Sequence, residues 1–184
     1  MKYYNYVAID VFYDETNPQQ TIATAGIVCW KEIGDAKPQA TYSYSMPITA
    51  PYVPGKFFLR EMPVILEALH HHKIIPKFLF VDGLCELPPE SLIPINPIGN
   101  EWRPALGSHT LKELHKEKDY ANTKVIGVAK NPFKNFPKEQ EVVRNPHIKK
   151  CSKKSLYVTC LGMSIHNAKM AVMFMNGSSR EHFF

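Results

Sequence analysis

Two aspartates interrupt apolar, β-prone runs. Asp10 lies inside Tyr6-Val7-Ala8-Ile9-Asp10-Val11-Phe12-Tyr13, and Asp82 closes Lys77-Phe78-Leu79-Phe80-Val81-Asp82, with Gly83 next. A carboxylate drawn into an apolar sheet must be ion-paired, hydrogen-bonded or metal-bound, because an uncompensated buried charge costs several kcal/mol. Two of them, at a strand centre and a strand end, point to one divalent-cation site shared between neighbouring strands. Each also has an ordinary reading: Asp10 as a hydrogen-bonded structural carboxylate, Asp82-Gly83 as a turn at a strand end.

The pattern along the chain places both runs in a mixed sheet. Three strands come first, Tyr4 to Tyr13, Gln20 to Glu32 and Gln39 to Met46, joined by the turn-rich segments Asp14-Glu15-Thr16-Asn17-Pro18 and Gly34 to Pro38. Short links between strands predict an antiparallel meander. Phe57 to His72 has helical spacing at Phe58, Met62, Ile65, Leu66 and Leu69, with Pro63 as a possible kink. The strand ending at Asp82 follows, then a proline-rich stretch from Leu84 to Pro104. A short helix capped by Ser108, a strand over Thr123 to Ala129, a small strand at Glu141 to Arg144 and a strand over Leu156 to Cys160 come next. A helix from Ser164 to Met175, ended by Asn176-Gly177, completes the pattern. A meander followed by helix–strand alternation is α/β: a mixed sheet whose later strands run parallel, with helices on its faces. Nothing divides the 184 residues, so one domain is expected.

Composition excludes some classes. Hydrophobic residues make up 45% and charged residues 21%, a globular balance. No apolar stretch is long enough to span a bilayer and no secretory leader is visible, so a cytoplasmic protein is expected. Cys29, Cys85, Cys151 and Cys160 lack CxxC spacing and read as reduced thiols. A net charge of +5 is compatible with a polyanionic partner without demanding one.

Other residues add chemistry to the two aspartates. Glu61, on the first helix, is a third hard oxygen ligand suited to Mg2+ or Mn2+; taken alone it is a solvated helix residue. Lys130, at the end of Val125–Ala129, can offset charge on a phosphate oxygen or simply mark a strand exit. Pro51-Tyr52-Val53-Pro54-Gly55 sets an aromatic between rigid prolines, a stacking wedge or a packed turn. The basic run Lys134, Lys138, Arg144, Lys149, Lys150, Lys153 and Lys154 can follow a nucleic-acid backbone or be a solvated loop. His70-His71-His72 point in three directions from a helix and read as surface.

Taken together, Asp10-Val11-Phe12-Tyr13, the Pro51–Gly55 loop with Phe58, Arg60 and Glu61, Phe80-Val81-Asp82-Gly83 and Ile126-Gly127-Val128-Ala129-Lys130 resemble, in order and spacing, the successive motifs of the endonuclease V family. The resemblance implies a ribonuclease H-like fold and a Mg2+- or Mn2+-dependent nuclease. Such enzymes cut deaminated nucleic acid, chiefly at inosine, at the second phosphodiester 3′ of the lesion. The partner would be DNA or RNA, single- or double-stranded, met by a monomer. By motif, Asp10 and Asp82 would hold the metal, Glu61 would complete the acidic centre and Lys130 would contact phosphate. Tyr52, with Pro51, Val53, Pro54 and Gly55, would belong to the wedge that fills the gap left by an extruded base, and Gly83 to the nucleic-acid surface.

Two departures stand out. The family's Asp-Gly-His-Gly continues here as Asp82-Gly83-Leu84-Cys85-Glu86-Leu87-Pro88-Pro89, in a loop that helps shape the base pocket. The family's late Gly-His falls near Leu161-Gly162, without the histidine; His166 lies a helical turn further on. Loss of a positioned acid/base commonly costs about 10²–10⁴ in rate. Two functions are therefore expected as alternatives: a divergent nuclease, or a catalytically impaired nucleic-acid-binding protein that kept the fold.

Overall fold

The computed structural model describes residues 1–17, 19–35, 37–50, 53, 56–89, 102–142 and 155–178. Its strands and helices are, in chain order, β1 (Lys2–Asp14), β2 (Thr21–Trp30), β3 (Ala40–Ile48), α1 (Phe58–His72), β4 (Ile74–Asp82), β5 (Glu86–Leu87), β6 (Arg103–Pro104), α2 (Leu106–Leu114), β7 (Lys124–Ala129), β8 (Glu141–Val142), β9 (Leu156–Leu161) and α3 (Ile165–Ser178). Seven strands form one sheet in the order β3-β2-β1-β4-β7-β9-β8, while β5 and β6 make a separate hairpin. The meander is antiparallel as expected, and β4 and β7 join β1 in parallel. β9 runs antiparallel to β7, so the later strands are not all parallel as expected. The described part of the connection between them holds a 3-10 turn at Lys138–Gln140 and the short β8, and no crossover helix of the kind that usually returns a chain in parallel.

Alternation along β1 separates two cores. Val7, Ile9 and Val11 point to one face with Val64, Ile65, Ala68 and Leu69 of α1, whereas Tyr6 and Ala8 pack on the other, with Phe80, Val158, Ala168 and Val172. The apolar stripe expected on α1 is rotated in the structure: its buried residues are Arg60, Glu61, Val64, Ile65, Ala68 and Leu69, while Phe58, Met62 and Leu66 are only partly covered. The helix runs unbroken through Pro63 and stops at Lys73, which takes a left-handed conformation at φ 56° and leads at once into β4. α1 thus lies antiparallel to β4, with its first turn at the edge where β1 and β4 end.

α2 starts at Leu106, with no side-chain cap, and not at Ser108. The chain crossing Leu84-Cys85 does the capping: the Cys85 carbonyl accepts from Ala105 N (2.9 Å) and Ser108 N (3.2 Å), and the Leu84 carbonyl from Gly107 N (3.2 Å). α3 continues through Asn176-Gly177 to Ser178. No helix among the described residues is long and apolar enough to cross a membrane.

The same crossing explains Gly127. Gly83 bridges to Val128, and the Cys85 amide donates to Thr159 Oγ1 at 2.7 Å, so the chain after Asp82 lies directly over β7. A Cβ on Gly127 would sit 2.5 Å from Cys85 N and from Gly83 O, both backbone atoms. Gly127→Ala is expected to destabilise the fold by about 2–3 kcal/mol or more, the upper range for overpacking against atoms that cannot rotate away. A lowered denaturant midpoint measures it; an unchanged midpoint would show that the crossing is loose.

Candidate acidic centre at the sheet edge

Parallel pairing of β1 with β4 places Asp10 beside Asp82. The register runs Ile9 opposite Val81, and one step further are the two aspartates, on the same face. Neither is deeply buried. Asp10 is exposed, its Oδ1 accepting from the Val11 amide at 2.9 Å, and the Asp82 side chain is 34% exposed. The carboxyl taken out of water is instead Glu61, 4% exposed in the first turn of α1, with Oε2 lacking a hydrogen-bond partner among the described residues. Burial, then the charges of Asp82 and Asp10, push its carboxyl up to about 8, while Lys130 acts in the opposite direction. Three carboxylates from three elements therefore share one electrostatic environment. They do not close on a point: no three His, Cys, Asp or Glu side chains among the described residues form a ready-made ligand group.

Lys130 reaches into this space, its Nζ donating to Asp82 Oδ2 at 2.6 Å. The pair is solvent-exposed, with Lys130 66% accessible, and exposed pairs contribute only about 0–1 kcal/mol. A stronger cation can displace it at little cost.

Next to Glu61 stands a group the sequence did not reveal. Arg60 is 8% exposed, donates from Nη2 to Glu15 Oε1 at 2.8 Å, and lies over the Tyr13 ring at 4.5 Å. Arg60 Nε and the Tyr13 hydroxyl are buried without partners, and burial with the nearby Glu61 charge raises the Tyr13 phenol above its ordinary range. The only signal was positional: Glu61 precedes Val64 and Ile65 by one helical turn and shares their face.

Of the other sequence candidates, Gly83 lies at the edge of the centre with φ +153°, a conformation that favours glycine, and its N–H donates to Val128 O at 2.9 Å. Val53 is half-buried, its carbonyl accepting from Lys56 N at 2.9 Å. Pro51, Tyr52, Pro54 and Gly55 lie outside the described residues, as do Arg144, Lys149, Lys150, Lys153 and Lys154; Lys134 and Lys138 are exposed. β9 leads into α3 through Gly162-Met163-Ser164, and His166 is exposed on α3.

A three-stranded meander continued by parallel strands, with acids at the end of β1, the end of β4 and the start of α1, is the ribonuclease H-like class of sheet. Solved structures share it: the Streptomyces avermitilis endonuclease V (TM-score 0.59, 20% identity, 95% of this chain and 73% of that one) and the Ciona intestinalis endonuclease V in complex with DNA containing an inosine (TM-score 0.57, 16% identity, 92% and 76%). In sequence, residues 2–90 match the endonuclease V family model. The endonuclease V of Rippkaea orientalis is 36% identical over 80 residues, 43% of this chain. The matched stretches span 21%, 33% and 28% of three curated endonuclease V relatives. The first half of the chain is thus similar in sequence to endonuclease V proteins, and the fold is shared with them.

Glu61 carries a pH dependence. Its carboxyl titrates near 8 in the fold and near the model-peptide value of 4.5 in the unfolded chain, so folding takes up a proton between those values. Its contribution is favourable below pH 4.5 and is lost as pH rises through 8. In chelator, the thermal midpoint of wild type should fall between pH 5 and pH 8 by at least about 4 °C more than that of Glu61→Gln, the shift given by 1–2 kcal/mol at this size. Parallel profiles for the two proteins would show that Glu61 is already ionised.

Proposed function

We propose that this chain is a divalent-metal-dependent endonuclease acting on deaminated, inosine-containing nucleic acid, DNA or RNA. The observation that carries the reading is the gathering of Asp10, Asp82 and Glu61 at one sheet edge. The orphaned, buried Oε2 of Glu61 fits a cation: a carboxylate held there without a hydrogen-bond partner is a vacant hard-oxygen donor. Asp10 and Asp82, on rigid neighbouring strands, would hold Mg2+ or Mn2+, with Glu61 completing the set. Such an ion supplies Lewis-acid polarisation of a phosphate and a more acidic water.

The chain's own residues have separate tasks. The two strand carboxylates, on rigid neighbouring strands, would set where the ion sits against the sheet. Lys130, released from Asp82, offsets charge on the phosphate. Gly83 allows the chain to turn away directly after Asp82, and the Pro51–Gly55 loop with Tyr52 would supply the wedge. Inosine as the base read is supported by the neighbour solved with inosine-containing DNA.

A second reading, a nucleic-acid-binding protein that no longer cuts, is favoured by one observation: Lys130 occupies Asp82. The two diverge in assay. With Mn2+ and an inosine-containing strand, the nuclease reading expects cleavage that Asp10→Asn and Asp82→Asn reduce by on the order of 10²–10³-fold or more. Salt-sensitive binding with no cleavage by wild type establishes the second reading instead. Lys130→Ala should weaken substrate binding if the amine serves phosphate; stronger Mn2+ binding with unchanged substrate affinity would make it a plug.

A further inference from the structure

Asp10 stands on a part of the sheet left bare by the helices. α3 packs on β8 and β9, while α1 and α2 cover the opposite face. Among the described residues, no helix covers the outer face of β1, β2 and β3 past Ala8. Phe12 follows Asp10 on that face, two positions on and about 6.8 Å along the strand. It is 69% exposed, at a position where burying its ring would have been favourable. Its cross-strand neighbour does not shield it: Thr24 is small, and its hydroxyl is bonded to that of Ser45 at 2.8 Å. Opposite Asp10 stands Gly26, where an added Cβ would meet nothing within 4 Å. Neither a positive φ nor crowding requires glycine there. A glycine in mid-strand weakens the strand and often marks the close approach of a ligand.

We propose that a nucleoside flanking the scissile phosphate lies over Gly26 with its base stacked on Phe12, making this strip of β1 and β2 the track for a single-stranded segment of nucleic acid. The proposal rests on the phosphodiesterase reading of the acidic centre. An aromatic face accepts any base, so stacking on Phe12 is sequence-neutral.

The test is binding of a fluorescent single-stranded oligonucleotide, by anisotropy, with Ca2+ as the divalent ion and again in chelator. Phe12→Ala should weaken binding about tenfold or more, and Phe12→Trp should keep it. Gly26→Val should hold or raise the thermal midpoint, since the space is free and valine favours strands, yet weaken binding by filling the floor. A structural role for either residue would lower stability and affinity together. Unchanged affinity in Phe12→Ala and Gly26→Val overturns the proposal, as does failure of wild type to bind in either condition. Binding that depends on both residues in a protein that cuts nothing keeps the track and removes the nuclease reading. Cleavage with a KM indifferent to both substitutions removes the track and keeps the nuclease.

Discussion

The arrangement depends on electrostatic repulsion that the fold holds in place. Glu61 is carried into the sheet edge by the same helical face that buries Val64, Ile65, Ala68 and Leu69, so its position is fixed by hydrophobic packing and not by any partner of its own. There it meets Asp10 and Asp82, set side by side by the parallel β1–β4 register. Like charges in one place are unfavourable, and this fold relieves the strain in two ways: Glu61 retains a proton to high pH, and Lys130 leans onto Asp82. Both are replaceable. A proton and an exposed ammonium are weak substitutes for a doubly charged ion, which is why the absence of internal partners for Glu61 says more than the proximity of the acids alone.

Much of this was legible in the sequence, for identifiable reasons. Asp10 and Asp82 stood out because each interrupts a β-prone run, and the short turns at Asp14–Asn17 and after Trp30 fixed the meander that leads β1 to its neighbours. The reasoning from burial, however, attached to the wrong acids. Asp10 lies on an open face, because alternation along β1 turns it away from Ile9 and Val11, while Glu61, which looked solvated, is the buried one. Two adjacent charged residues at the start of α1 disguised the apolar stripe. Which side of a helix is buried depends on what it packs against, and Arg60 and Glu61 are covered by partners 45 residues or more away along the chain or across the sheet.

Capping at α2 failed for a related reason. Ser108 has the chemistry of a cap, but the helix begins two residues earlier, where the carbonyls of Leu84 and Cys85 accept from the amides of Ala105, Gly107 and Ser108. A tertiary contact of this kind leaves no local signature except its steric consequence, the glycines at 107 and 127, each pressed against the crossing chain. The altered loop after Asp82 is thus anchored at both of its neighbours: it caps a helix with its carbonyls and bonds Thr159 with its amide. Leu84 and Cys85, which follow Asp82-Gly83, are therefore held by a firm internal connection.

That anchoring bears on how a substrate reaches the acids. On one side of the centre lie the crossing chain, α2 and the first turn of α1; on the other, β1 to β3 offer a face lined by Gly26, Thr24, Ser43 and Ser45 that no helix among the described residues covers. Asp10 lies on the boundary between the two. A polyanion approaching three acids is repelled until a cation intervenes, so it needs some attraction that does not depend on charge. The open face supplies that through an exposed aromatic ring and hydroxyls, while Lys130 waits at the far side of Asp82. Under the proposed function, separating the neutral contacts from the charged ones along one strip would let nucleic acid be held beside an acidic centre that repels it.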